Sequence, residues 1–254
     1  MIKKKSTHSI SYRIIRHLRE WHRKLGIFSA LFIIFLSLSG IALNHTTLLS
    51  LSEKLITSPL LLNHYGLKPP SDIRFYQQKK WLVTEQFVWV GDQLAYESDE
   101  PIISISKFQT YRLLATTKQL VIFTDKGELV DKLDSSSDLP VPIQAMSVSE
   151  NNILLKTPNG YYQGDSDFFD WQKINTLVEP KWITSEVVTE SESAAASTQY
   201  QSQFLNWERV ILDAHSGRIF GDFGVILMDL VAFMLILLSV SGIYMWIKYS
   251  KKKR

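Results

Sequence analysis

The twenty-three residues from Val225 to Ile247 contain one side chain that is charged at neutral pH, Asp229. A helix of that length is roughly 34 Å long at 1.5 Å per residue, enough to cross a bilayer with some tilt. Leu25 to Leu43 adds nineteen residues without a charge and reads as a second span. A cleavable signal peptide is the rival reading of that first stretch, because Gly40-Ile41-Ala42 has a small-x-small pattern. The apolar run is longer than the roughly 7–15 residues of an ordinary signal core, and its basic flank is long, so a retained span is expected.

Charge then orients the hairpin. Residues 1–24 hold eight basic side chains against Glu20 alone, and Lys248, Lys251, Lys252, Lys253 and Arg254 follow the second span without an acid. Basic clusters of this kind stay on the cytoplasmic side. The net charge of +3 hides a middle with fifteen basic and twenty-three acidic residues, about −8. Basic charge confined to the two membrane boundaries suits lipid headgroups, and argues against a nucleic-acid groove. The expected layout is a basic amphipathic segment over 1–24, a span over 25–43, an extracytoplasmic domain over 44–224, a span over 225–247 and a basic tail over 248–254. Both termini are expected on the cytoplasmic side of a bacterial inner membrane. With no cysteine in the chain, disulfides, thiolate metal sites and cysteine catalysis are excluded.

Between the spans the apolar period changes to two. Residues 81–90, a Gly91-Asp92 turn and residues 93–96 read as antiparallel strands. Residues 111–115, 119–123 and 128–130, and then 152–156, 161–163 and 171–174, repeat the arrangement at intervals of about thirty to forty residues, the range of stacked β units. The expected fold is a membrane α-hairpin plus an all-β extracytoplasmic domain of three blade-like antiparallel meanders. Three units are fewer than the roughly four to eight blades of a propeller. Around them, Thr47 to Ile56 reads as a short helix, His64-Tyr65-Gly66 as a turn, residues 185–200 as an acidic loop or linker, and Trp207 to Leu212 as a strand turning over 214–217.

Both spans carry one string, Leu36-Ser-Leu-Ser-Gly-Ile41 and Leu238-Ser-Val-Ser-Gly-Ile243. Small residues let helices approach and serine can donate across an interface. In an antiparallel hairpin the two strings lie near opposite leaflets and cannot face each other. Their contacts are expected from another chain or from packing residues of the opposite helix.

Asp213-Ala-His-Ser-Gly-Arg-Ile-Phe-Gly221, with Met228-Asp229 and Ser241-Gly-Ile-Tyr-Met-Trp246, resembles the closing segment of the PepSY-associated transmembrane helix family of bacterial envelope proteins. Trp21-His-Arg-Lys-Leu-Gly26 with Leu38-Ser-Gly-Ile-Ala-Leu-Asn-His45 resembles its opening helix, and the Leu61 to Gly66 turn is similar to that of short members. Larger relatives resemble inner-membrane ferric-siderophore reductases, in which histidines at helix ends hold haem. The resemblance therefore implies His22, His45 and His215 as haem ligands, although this chain has only two spans. Histidines at helix ends also cap carbonyls or meet headgroups. Asp229, inside a span, is a functional-site hypothesis by default, with Arg218, Asn44, His45, Thr46 or Thr47 as expected partners.

No phosphate loop, nucleophile elbow or metal-ligand spacing stands out in the β region, and no catalytic residue or metal ligand is assigned. Asp165, Asp167 and Asp170 lack the glycine and later glutamate of a calcium loop. The expected role is a non-catalytic partner or binding module of an envelope complex, joined to another envelope protein or to itself. The alternatives are a haem-binding accessory of extracytoplasmic ferric iron or flavin reduction, and a regulator of an envelope peptidase.

Overall fold

The computed structural model describes residues 7–150, 152–168, 170–175 and 179–250. The basic residues at 3–5 and 251–254 lie outside that set. Two compact units emerge, one from the chain ends up to Ile56 and from Leu205 onward, the other from Thr57 to Phe204.

Helix α1 (Thr7–Asn44) is unbroken for 38 residues, so the basic segment and the first apolar run share one helix. Beyond it the expected helix over Thr47 to Ile56 is replaced by turns. Ser50 takes a left-handed φ of 51°, which ends helical winding, and the Ile56 amide donates to the Leu205 carbonyl at 2.9 Å.

The β unit opens with α2 (Pro59–His64), whose proline sits in the first turn and which ends before Gly66 at φ +67°. Three four-stranded antiparallel meanders follow. The first is β1 (Ile73–Tyr76), β2 (Trp81–Thr84), β3 (Phe87–Val90) and β4 (Gln93–Glu97). The second is β5 (Ile102–Phe108), β6 (Tyr111–Thr116), β7 (Leu120–Thr124) and β8 (Leu129–Leu133). The third is β9 (Ala145–Val148), β10 (Ile153–Thr157), β11 (Gly160–Gly164) and β12 (Trp171–Ile174). The three units are where periodicity placed them, and each gains a leading strand, β1, β5 or β9, that had not been read.

The middle sheet buries both faces. Leu114, Val121 and Phe123 pack against Trp81, Val83 and Val88 of the first sheet. Leu113, Leu120 and Ile122 pack against Met146, Ile153 and Leu155 of the third. That is why β6 and β7 read as continuous apolar runs rather than alternating ones. A strap then crosses between edges: the Ile183 amide donates to Met146 of β9 at 2.9 Å and the Glu186 amide to Phe75 of β1 at 2.8 Å. Two otherwise open edges are thereby covered.

The acidic stretch expected as a loop over 185–200 is instead largely helix α3 (Glu190–Ser202). Thr189 and Glu192 form a reciprocal capping box, and the run between them and Tyr200 is rich in alanine, the strongest helix former. Ala196 and Tyr200 cover Leu82, Phe87 and Trp89 on the outer face of the first sheet. The Lys79 ammonium holds the Glu192 carboxyl well down, at about 2, with the Thr189 amide adding to the effect. The Ser71 amide and the Tyr200 hydroxyl lower Glu85, while burial and Glu85 push Tyr200 up to about 12.

The expected strand over 207–212 is also a helix, α4 (Trp207–Ser216). Asn206 caps it by accepting from the Arg209 amide, Val210 and Asp213 are buried one turn apart, and Gly217 ends it at φ +82°. A short 3-10 turn over Arg218–Phe220 leads to α5 (Gly221–Ser250). Helix α5 is apolar all round and α1 is apolar through its second half. Only 11% of the most apolar window of each is buried, the pattern of lipid-facing helices. The chain is a membrane protein.

Candidate functional site: two histidine clasps between the spans

Helices α1 and α5 are in contact, with Ser29 and Val231 fully buried. A small residue at such a point lets backbones close up. On either side of it along α1, a histidine from one half meets the Ser-Gly pair of the other half's string. His22 Nδ1 lies 2.8 Å from Ser241 Oγ, and His215 Nδ1 lies 2.7 Å from Ser39 Oγ. The adjoining glycines lie beside the rings: a Cβ at Gly242 would sit 3.5 Å from His22 Cε1, and one at Gly40 3.7 Å from His215 Cε1, both ordinary contact distances.

Ser39 donates to the Phe35 carbonyl at 2.7 Å, and Ser241 donates to the Leu238 carbonyl at 3.0 Å. Each hydroxyl also lies within hydrogen-bond reach of a histidine Nδ1, and which of the two groups donates depends on the imidazole tautomer. Each contact is made through Nδ1 rather than Nε2. A histidine ligand to metal or haem is commonly fixed in this way, with one nitrogen held and the other presented.

The His-Ser-Gly-Arg motif owes its glycine to the second clasp. A Cβ on Gly217 would lie 2.3 Å from the Gly224 carbonyl oxygen, so no side chain fits there without backbone movement. This contact folds α4 back beside the start of α5 and sets His215 at the level of Ser39. Asp213 is 3% exposed and accepts from Arg209 Nε at 2.8 Å within α4.

The candidates from sequence are thus divided. His22 and His215 are engaged, each with the opposite half. His45 is exposed and shares no hydrogen bond with His215 among the described residues. Arg218 and Asp229 are both exposed and form no ion pair with each other among the described residues. Asp229 lies roughly 12 Å along α5 from Gly221 at 1.5 Å per residue. The serine partners Ser39 and Ser241 lie in the repeated string, for which contacts from another chain or from the opposite helix were expected, without the histidines being named as those contacts.

Haem can be tested against this geometry. His22 lines an apolar groove of about 440 Å³ with Trp21, Leu25, Leu237 and Tyr244, which suits one axial ligand beside an apolar macrocycle. His22 and Ser39 are seventeen residues apart on α1, roughly 25 Å at 1.5 Å per residue, so His215 cannot share a ligand with His22. His22 and His215 of one chain therefore cannot ligate the same haem. Among the described residues no group of three or more histidine, aspartate and glutamate side chains is placed to hold a metal ion.

The sequence model of the family described as PepSY-associated TM region matches residues 4–249, both spans and the whole β unit included. No curated protein matches the chain.

Proposed function

We propose, for a chain that belongs to the PepSY-associated TM region family, that it is a membrane-anchored binding module, a non-catalytic partner within an envelope complex. The observation that carries this reading is the pair of clasps. Both engaged histidines are hydrogen-bonded to serines of the opposite half and lock the spans, so the hairpin acts as an anchor. The β unit, the larger part of the chain outside the spans, supplies the surface for an envelope partner. The basic flanks favour a cytoplasmic-membrane setting with both termini inside.

One observation favours a second reading, a haem-binding accessory of ferric iron or flavin reduction. The held Nδ1 atoms leave Nε2 of His22 and of His215 as potential axial ligands, and haem bound there would supply one-electron chemistry.

The test is the absorption spectrum of the detergent-purified chain, expressed with ample haem, before and after dithionite. The anchor reading expects no Soret band. A Soret band that shifts on reduction and is lost in His22→Ala would replace it with the redox reading.

A further inference from the structure

The cleft between the first and second sheets holds a charge arrangement that neither reading uses. Arg112, the second residue of β6, is 6% exposed. Its Nη2 donates to the carboxylate of Asp125, which is itself largely in water, with 58% of its side chain exposed. Nε and Nη1 are shielded from water and have no hydrogen-bond partner among the described residues. Buried polar groups are nearly always satisfied, and an orphaned pair on a cation points to a missing anion or water.

Lys80 lines the same cavity, which is about 300 Å³ and walled by Trp81, Val90 and Gly91. Two cations therefore face one carboxylate. Because Arg112 is buried, its field is weakly screened, while Asp125 loses much of its own to solvent. The cleft keeps a positive potential beside an aromatic wall.

We propose that this cleft binds an oxyanion, a carboxylate or phosphate group, seated between Lys80 and Arg112 and competing with Asp125 for Nη2. Guanidinium suits planar oxyanions through charge-assisted hydrogen bonds, and the ammonium supplies a second, mobile point charge. The volume admits a small molecule or one anionic end-group. The inference is independent of the partner and haem readings, since it concerns only the chain's own cavity.

The test uses the full chain in detergent, titrated calorimetrically with inorganic phosphate and, separately, with acetate in chloride buffer. Saturable one-site binding of at least one anion is expected, and the preferred anion assigns the group. Lys80→Ala changes an exposed side chain with no partner among the described residues, and should weaken binding about tenfold. Asp125→Asn removes the competitor and should tighten binding, with the melting temperature lost in plain buffer restored by the anion. No saturable binding of either anion, or equal affinity in Lys80→Ala, would overturn the proposal. So would an Asp125→Asn defect indifferent to anion, which is what a purely structural ion pair predicts.

Discussion

The helical unit and the β unit differ in where their large apolar side chains go. In the β unit the fully enclosed side chains are large and apolar, among them Trp81, Trp89, Phe108, Phe123 and Leu113. In the helical unit Ser29, Asp213 and Gly217 are buried, while Ile27, Leu31, Phe223, Leu230 and Phe233 face outward. The contrast shows two solvents at work. Burial of apolar area drives the β unit together in water, whereas helices in lipid gain nothing from hiding leucine and associate through close backbone approach and interhelical hydrogen bonds.

That contrast can be broken at its most crowded point. Gly217→Leu forces a side chain into the Gly224 carbonyl at a left-handed φ, and should cost more than about 3 kcal/mol. Hydrogen exchange should then rise across α4 and the start of α5 and stay unchanged in the sheets. Faster exchange in β6 and β7 would show the two units are not independent. The converse is Trp89→Ala, which empties a site between the first sheet and α3 and should destabilise the β unit by about 3–5 kcal/mol. Thermal melts followed by near-ultraviolet circular dichroism check it, with exchange in the spans unaltered.

A finer test sharpens what holds the spans. Ser39→Ala and Ser241→Ala each remove one interhelical hydrogen bond, worth about 0.6–2 kcal/mol in membranes. The two effects should be alike and additive, because the clasps are remote from one another. Stability of the hairpin to denaturing detergent measures both, and a strongly unequal pair would mean that one clasp has another task.

The smallest effect is in the β unit's response to acid. Glu192 has its folded pKa lowered from 4.5 to about 2, and Glu85 is lowered as well. A depressed carboxyl contributes stability above its unfolded pKa and loses it as pH falls through the folded value. The melting temperature should therefore be level in these terms above about pH 4.5 and decline toward about pH 2. Glu192→Gln should shallow that decline. Both groups are partly exposed and screened by solvent, so the change is modest.

Much of this was legible along the chain. Apolar runs of nineteen and twenty-three residues announce spans because the bilayer reads a summed hydropathy over about twenty neighbours. Period-two segments around Trp81, Arg112 and Ile153 announce three meanders because a strand's side chains alternate. The helices α3 and α4 were misjudged for different reasons. Residues 190–202 look like solvent-seeking loop by composition, and only the Thr189–Glu192 box betrays the helix. Residues 207–212 are short enough to fit either period, and the choice rested on Asn206 at one end and Gly217 at the other.

The site was less legible than the fold. The histidines and the repeated Ser-Gly strings were all visible, yet no local rule could pair His22 with Ser241 across 219 residues or His215 with Ser39 across 176. The sequence by itself determined two spans, three β units and a shortlist of polar groups near the membrane, because hydropathy, periodicity and charge are sums over neighbours. Tertiary structure alone decided which histidine meets which serine and that Arg112 is buried with one exposed partner. Those outcomes depend on helix register and on how sheets close over one another, quantities set by contacts between residues far apart in the chain.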